Sequence, residues 1–167
     1  LKRIVIIGSG GSGKSTFARR LGKDLGIPVV HLDALYWKPG WVPEEQKTFD
    51  GIIQAELAKE KWIIDGNFSR TMDVRIAAAD TIIFIDLPRL LCTYRVVKRW
   101  LQYRNKTRVD MGEGCSEKVD LAFLKWVWTY PATKRPEVIR KLEQVASDKK
   151  VVHLTSQKNV KGFLNTL

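Results

Sequence analysis

Residues 4–18, "IVIIGSGGSGKSTFA", set four apolar residues, a glycine-rich loop and a helix-forming run in immediate succession. Few folds satisfy that order. A short, wholly apolar, β-branched run reads as a strand buried on both faces. A glycine-crowded turn leading straight into a helix needs backbone conformations that β-carbons obstruct. Gly8, Ser9, Gly10, Gly11, Ser12, Gly13, Lys14 and Ser15 match G-x-x-x-x-G-K-[ST] in full. In such a loop the backbone N–H groups turn inward around phosphate oxygens, and the following helix aims its positive end at the same place. Lys14 then supplies charge to the β- and γ-phosphates, the Ser15 hydroxyl can ligate Mg²⁺, and Thr16 stands toward the α-phosphate. The ligands expected are ATP and Mg²⁺.

The remaining pattern repeats strand and helix in alternation. Short apolar runs at Arg3–Ile7, Pro28–Leu32, Lys61–Asp65, Thr81–Asp86 and Lys150–Leu154 predict five parallel strands. Helical periodicity covers Lys14–Leu25, Pro43–Glu60, Thr71–Ala79 and Pro88–Tyr103, then Glu117–Val145 with breaks near Pro131 and Pro136. The expected fold class is α/β: a three-layer P-loop NTPase fold, with a five-stranded parallel sheet, helices on both faces and a short lid. With 167 residues, one domain spanning 1–167 is expected. The pair "VVHLD" and "VVHLT" reflects strand composition, and His31 and His153 are read as packing residues at strand ends.

Two strands end in an acid. Asp65 is followed by Gly-Asn, so the chain can turn into an open cleft, and it is expected to serve Mg²⁺ through water. Asp86 precedes Leu-Pro and is expected to cap the next helix. On that helix Arg95 and Arg99 lie four apart and share a face, suited to stabilising charge on a transferring phosphoryl group. The segment that follows, about residues 104–117, is polar, holds two glycines and lacks apolar periodicity; it reads as a mobile lid that excludes water, with Arg104 and Arg108 able to reach phosphates on closure. Tyr36, Trp37 and Trp41 are either a stacking wall for a planar acceptor or core packing. In "FLKWVWTY" (123–130) apolar residues cover nearly every helical face, which favours burial over a ligand site.

These features together resemble the adenylate-kinase-like group of P-loop kinases. "DGNFSRT" (65–71) is similar to the D-G-F-P-R-T segment of adenylate kinases, and "DLP" (86–88) with Arg95 and Arg99 is similar to their D-V-P segment and paired helix arginines. The resemblance implies that Arg70 contacts the acceptor and that Arg95 and Arg99 flank the donor and the lid. "HLDALYWKPGW" (31–41) and "RVDMGEGCSEKVDLAFLKWVWTYP" (108–131) resemble a small bacterial family labelled as DNA topology modulation proteins, a label that states no reaction. The sequence departs from adenylate kinases between Leu32 and Lys61, where it has no arginine to hold an AMP phosphate. Asp33 stands there instead. A carboxylate suits orienting or deprotonating a hydroxyl, and shikimate-kinase-like enzymes use an acid in a similar place. The acceptor implied is a hydroxyl compound or nucleoside, although Asp33 would also suit contact with magnesium through a bound water.

The sequence therefore predicts an ATP-dependent kinase transferring the γ-phosphate to a small acceptor, with Lys14, Arg95, Arg99 and Asp33 catalytic and Asp33 and Arg70 on the acceptor. The alternative is a nucleotide-switched DNA-binding regulator. Seven of the eleven net positive charges lie between Leu87 and Val109, where there is no Asp or Glu. Nucleic acid binding through the basic 88–108 stretch would be sequence-independent and would weaken steeply with salt. No apolar run approaches a bilayer span, the amino terminus reads as a strand, and Cys92 and Cys115 read as reduced thiols, so a cytoplasmic protein without membrane contact is expected.

Overall fold

The computed structural model describes residues 1–118 and 120–167. Five parallel strands form the central sheet: β1 (Arg3–Gly8), β2 (Val29–His31), β5 (Trp62–Asp65), β6 (Thr81–Ile85) and β7 (Lys150–Leu154). Their spatial order is β2-β5-β1-β6-β7, which puts the strand feeding the glycine loop in the middle. A separate two-stranded antiparallel hairpin, β3 (Trp37–Lys38) with β4 (Val42–Pro43), follows the second strand. The P-loop-type α/β architecture is as expected.

Side-chain alternation along the strands divides the core in two. Val5, Ile7, Trp62, Ile64, Ile82 and Phe84 face one layer, with α3 (Gln46–Leu57), α4 (Ser69–Ala78) and α7 (Arg135–Val145). Ile4, Ile6, Ile63, Ile83 and Ile85 face the other, with α1 (Lys14–Leu25), α5 (Arg89–Tyr103) and α8 (Gln157–Asn165). This is why the strands look continuously apolar in sequence: both faces are covered. Each fully buried Ile or Phe there contributes roughly 1.5–3 kcal/mol. Helix α6 (Leu121–Thr133) serves both layers, Val127 in one and Tyr130 in the other.

Several boundaries differ from expectation. The second strand ends at His31, so Asp33 sits in the first turn of a short helix, α2 (Leu32–Tyr36). The two-residue strands of the hairpin are too short to show a period, and α8, although amphipathic, spans only nine residues. Pro131 does not break its helix; it lies inside α6 and the chain turns only at Lys134, while Pro136 takes its favoured place at the start of α7. Only the last helical turn follows Pro131, so its missing N–H weakens the helix end without ending it.

Asp86 does not cap α5, whose start has no side-chain cap. Its two carboxylate oxygens instead share the Arg135 Nε–H, at 3.0 and 2.8 Å, and Oδ2 meets His153 Nε2 at 2.7 Å. The leucine and proline after it carry the chain away before the helix begins.

Candidate active site

The carboxyl ends of β1, β2 and β5 open into a cleft of about 630 Å³, within the size range of small-molecule sites. The glycine loop forms its floor, and two glycines there are enforced by packing. A Cβ on Gly11, whose φ is 73°, would stand 2.2 Å from the Cys92 carbonyl oxygen of α5. One on Gly10 would stand 2.5 Å from the Phe123 ring of α6. The loop is thus clamped between two helices, and side chains cannot enter where phosphates would lie.

Lys14 opens α1 and donates to the Ser9 carbonyl at 2.8 Å, its one hydrogen bond among the described residues. Burial lowers its ammonium below the ordinary 10.5, against the pull of Asp65 and Asp33. A cation held this way lacks a strong counter-ion, and a phosphate would supply it. Ser15 and Thr16 line the same cleft. Asp65 is 3% exposed, with Oδ1 at 3.0 Å from His31 Nδ1 and Oδ2 buried without a partner. His31 therefore orients a carboxylate, a role its strand-end position did not announce.

Ser15 and the free Asp65 oxygen fit a hard divalent cation. Among the described residues no group of three or more His, Cys, Asp or Glu side chains could hold a metal alone.

Asp33 lies open to water within the cleft, yet protein crowds it from most sides. That crowding raises its carboxyl above the ordinary carboxylate value; Lys14 opposes the rise, while Asp65 and Asp110 add to it. Asp110, on the lid and unsignalled in sequence, is 8% exposed. Burial pushes its carboxyl up, but Arg108 and a hydrogen bond with Ser15 outweigh that and hold it low.

Arg95, Arg99 and Arg108 all line the cleft. Arg95 reaches the Ser12 carbonyl at 3.5 Å. Glu117, 8% exposed, stands between the other two, 3.3 Å from Arg99 Nε and 2.9 Å from Arg108 Nε. Burial and the neighbouring Arg108 lower the Arg99 pKa, with Glu117 partly compensating. Three of the seven cations in the basic stretch are accordingly drawn inward. Arg89, Lys98 and Arg104 lie instead over the rings of Trp128, Tyr94 and Trp100.

Arg70 does not line the cleft. Its guanidinium pairs with Asp50 of α3, at 2.8 and 2.7 Å, and a Gln46 amide turned to accept adds contacts at 2.9 and 3.2 Å. Of the two readings of Tyr36, Trp37 and Trp41, the structure takes the packing one. Tyr36 packs into the core against Phe49 and Phe68, while Trp37 and Trp41 stack edge-on away from the cleft. Phe68, Phe123 and Trp126 are the rings that line it, so the helix 121–133 is not wholly given to burial. The even apolar coverage of that helix hid which face would look into the site.

A smaller hollow of about 330 Å³ adjoins the glycine loop, bounded by Phe17, Leu87, Arg95 and, from α8, Gln157, Val160 and Leu164. It is mainly apolar and lies beyond Ser12 and Thr16, where a base would follow a phosphate chain. Nothing in the sequence marked α8 for this.

The lid is docked on the β3–β4 hairpin. Trp41 Nε1 donates to the Ser116 carbonyl at 2.9 Å, Gly40 N to the Gly114 carbonyl at 2.9 Å, and the Cys115 thiol to the Lys38 carbonyl at 3.2 Å. Lys118 sits 5.3 Å over the Trp41 ring. Trp41→Phe keeps the ring and loses one hydrogen bond, worth about 1 kcal/mol. Hydrogen exchange of the Gly40 amide is expected to quicken roughly fivefold, with strand amides unchanged; an unaltered rate would mean that the indole does not hold the lid.

Comparison with solved structures comes at low sequence identity. A shikimate kinase from Bacteroides thetaiotaomicron matches 99% of this chain and 95% of its own, with a TM-score of 0.52 and 14% identity. No protein-family model and no curated protein matches the chain. Among the described residues no helix is long and apolar enough to cross a membrane. At this identity the likeness speaks to architecture: the chain has the α/β P-loop NTPase fold that this shikimate kinase also adopts.

Proposed function

We propose that this protein is an ATP-dependent phosphotransferase that moves the γ-phosphate of ATP to a small acceptor bound beside Asp33. The observation carrying the reading is the convergence of Lys14, Asp33, Asp65, Arg95, Arg99 and Arg108 on one cleft above a complete glycine loop. In this reading Mg²⁺ would be held by Ser15 and, through water, Asp65; when bound, it neutralises phosphate charge. The triphosphate lies in residues 8–16, with its base in the hollow beside α8. Lys14 and the three arginines stabilise charge on the transferring oxygens. Asp33 orients the acceptor hydroxyl and accepts its proton. The lid keeps water from the γ-phosphate, which separates transfer from hydrolysis. The DNA-binding alternative loses its main support because six of the seven cations in the basic cluster face this cleft or lie over their own aromatic neighbours.

The test is transfer of labelled γ-phosphate to a deproteinised small-molecule extract. A labelled product that depends on the extract is expected. Label released only as inorganic phosphate, at one rate with or without extract, would sink the reading.

Asp33 also predicts a pH dependence. Its folded pKa lies above the unfolded one, so its ionised form costs stability at pH 7, and the cost vanishes as pH falls to the ordinary value of 3.8. Asp33→Asn is expected to melt higher than wild type at pH 7 and equally near pH 4. Asp110→Asn removes a charge that raises Asp33, so the acid limb of kcat/KM for the acceptor should move to lower pH. A limb that stays in place would take Asp33 out of proton transfer.

A further inference from the structure

The cations lining the cleft come from α1, α5 and the lid: Lys14 and Arg19 on α1, Arg95 and Arg99 on α5, and Arg108 on the lid. The remaining wall is built from the loop after β5, from α2 and from the start of α6. Its lining side chains are Asp33, Asn67, Phe68, Asp120, Phe123 and Trp126. It holds two carboxylates, one amide and three rings, and no positive group among the described residues. The arginine nearest in sequence, Arg70, is turned away and doubly bonded to Asp50.

We infer that the acceptor is an uncharged, ring-bearing polyhydroxyl compound of nucleoside type. The inference rests on the phosphotransferase reading and names the substrate class of the same site. A phosphate or carboxylate on the acceptor would face Asp33 and Asp120, and the two cations whose charge reaches Asp33 are already engaged, Lys14 by the donor phosphates in the proposed reaction and Arg108 by Glu117. Flat rings fit the wall. Phe123 and Trp126 are stacked, with centroids 5.8 Å apart and planes 16° apart, and Phe68 contributes a third ring. Asn67 accepts from the Gly8 amide at 3.4 Å through Oδ1, which leaves its NH₂ to donate to a base or sugar oxygen. Asp120 caps α6 by accepting from Phe123 N at 3.1 Å and still offers carboxylate lone pairs to hydroxyls.

The step balances simply. A sugar hydroxyl oxygen forms a bond to the γ-phosphorus as the bridging P–O bond to the β-phosphate breaks. The bonding pair leaves with ADP, and the hydroxyl proton passes to the Asp33 carboxylate and on to water. The product is a monophosphate ester, which the same carboxylates help to expel.

Binding and transfer are measured separately, on the whole protein, with matched pairs of nucleosides and their 5′-monophosphates. Calorimetric titration with Mg²⁺ and a non-hydrolysable ATP analogue present is expected to show at least one nucleoside binding ten times more tightly than its monophosphate. Trp126→Ala should weaken that nucleoside about tenfold and leave the ATP analogue unaffected, whereas Trp126→Phe, which keeps a ring and the packing, should stay within threefold. With labelled ATP, that nucleoside should become labelled.

A monophosphate that binds more tightly or takes the label overturns the acceptor class and leaves phosphoryl transfer standing. Nucleosides that bind through Trp126 while no label moves overturn transfer and leave the binding assignment standing. Binding of the ATP analogue with no binding from either series overturns the inference.

Discussion

Lys14→Ala is expected to eliminate phosphoryl transfer, lowering its rate by about 10²–10³-fold or more, with the fold intact. The ammonium makes one hydrogen bond, to the Ser9 carbonyl, and burial already disfavours its charged form. The sign of the stability effect follows. A lysine whose folded pKa is depressed costs stability while charged, and the cost fades as pH rises from the folded pKa toward the ordinary 10.5. Removing Lys14 at pH 7 therefore relieves one cost. It also removes the cation that restrains Asp33, whose carboxyl should rise further. The two effects oppose each other, so the melting temperature should shift by only a few degrees. Transfer measured beside a melting curve checks both, and a variant that keeps its activity would show that the glycine loop only binds.

The largest stability effect should come from Arg75, a residue without chemistry. It is 0% exposed on α4, inside the protein. Its guanidinium donates to the carbonyls of Gly66, Asn67 and Phe68 at 3.0–3.1 Å, and Nε reaches the Thr71 carbonyl and hydroxyl at 3.3 and 3.2 Å. Burial brings its pKa down to about 10, with Asp65 opposing. These bonds fix the loop that carries Asp65 and Asn67 to the cleft. Arg75→Met leaves several buried carbonyls without donors, at roughly 1–3 kcal/mol each before relaxation. A net loss of about 3–5 kcal/mol is expected, or roughly 8–15 °C in melting temperature. Arg75→Lys should recover little, because one ammonium cannot span three carbonyls. A melting point within 3 °C of wild type for Arg75→Met would show that the loop holds itself.

The two cases separate what each level of description can reach. Lys14 is legible because its chemistry is local: the glycines, the lysine and the serine lie within eight consecutive residues, between a strand and a helix that periodicity identifies. The five buried strands are legible for a similar reason, since doubly covered strands must be apolar throughout. Arg75 reads only as one more basic residue on a helix. Its partners become visible once β5 turns into α4 and folds the loop back over it.

Asp86 shows the same limit in the other direction. An acid before a proline suggests a cap, whereas Arg135 and His153, 49 and 67 residues away in sequence, take the carboxylate. The acceptor wall behaves likewise. Asp33 was identifiable by its place after a strand, but Phe68, Phe123 and Trp126 meet only because the loop after β5 and the start of α6 converge.

The sequence by itself determined the sheet and the glycine loop, both of which depend on neighbours along the chain. The tertiary structure alone decided which rings line the cleft, which arginines turn inward and where the lid rests. Those outcomes depend on contacts between distant segments, whose geometry composition and spacing do not encode.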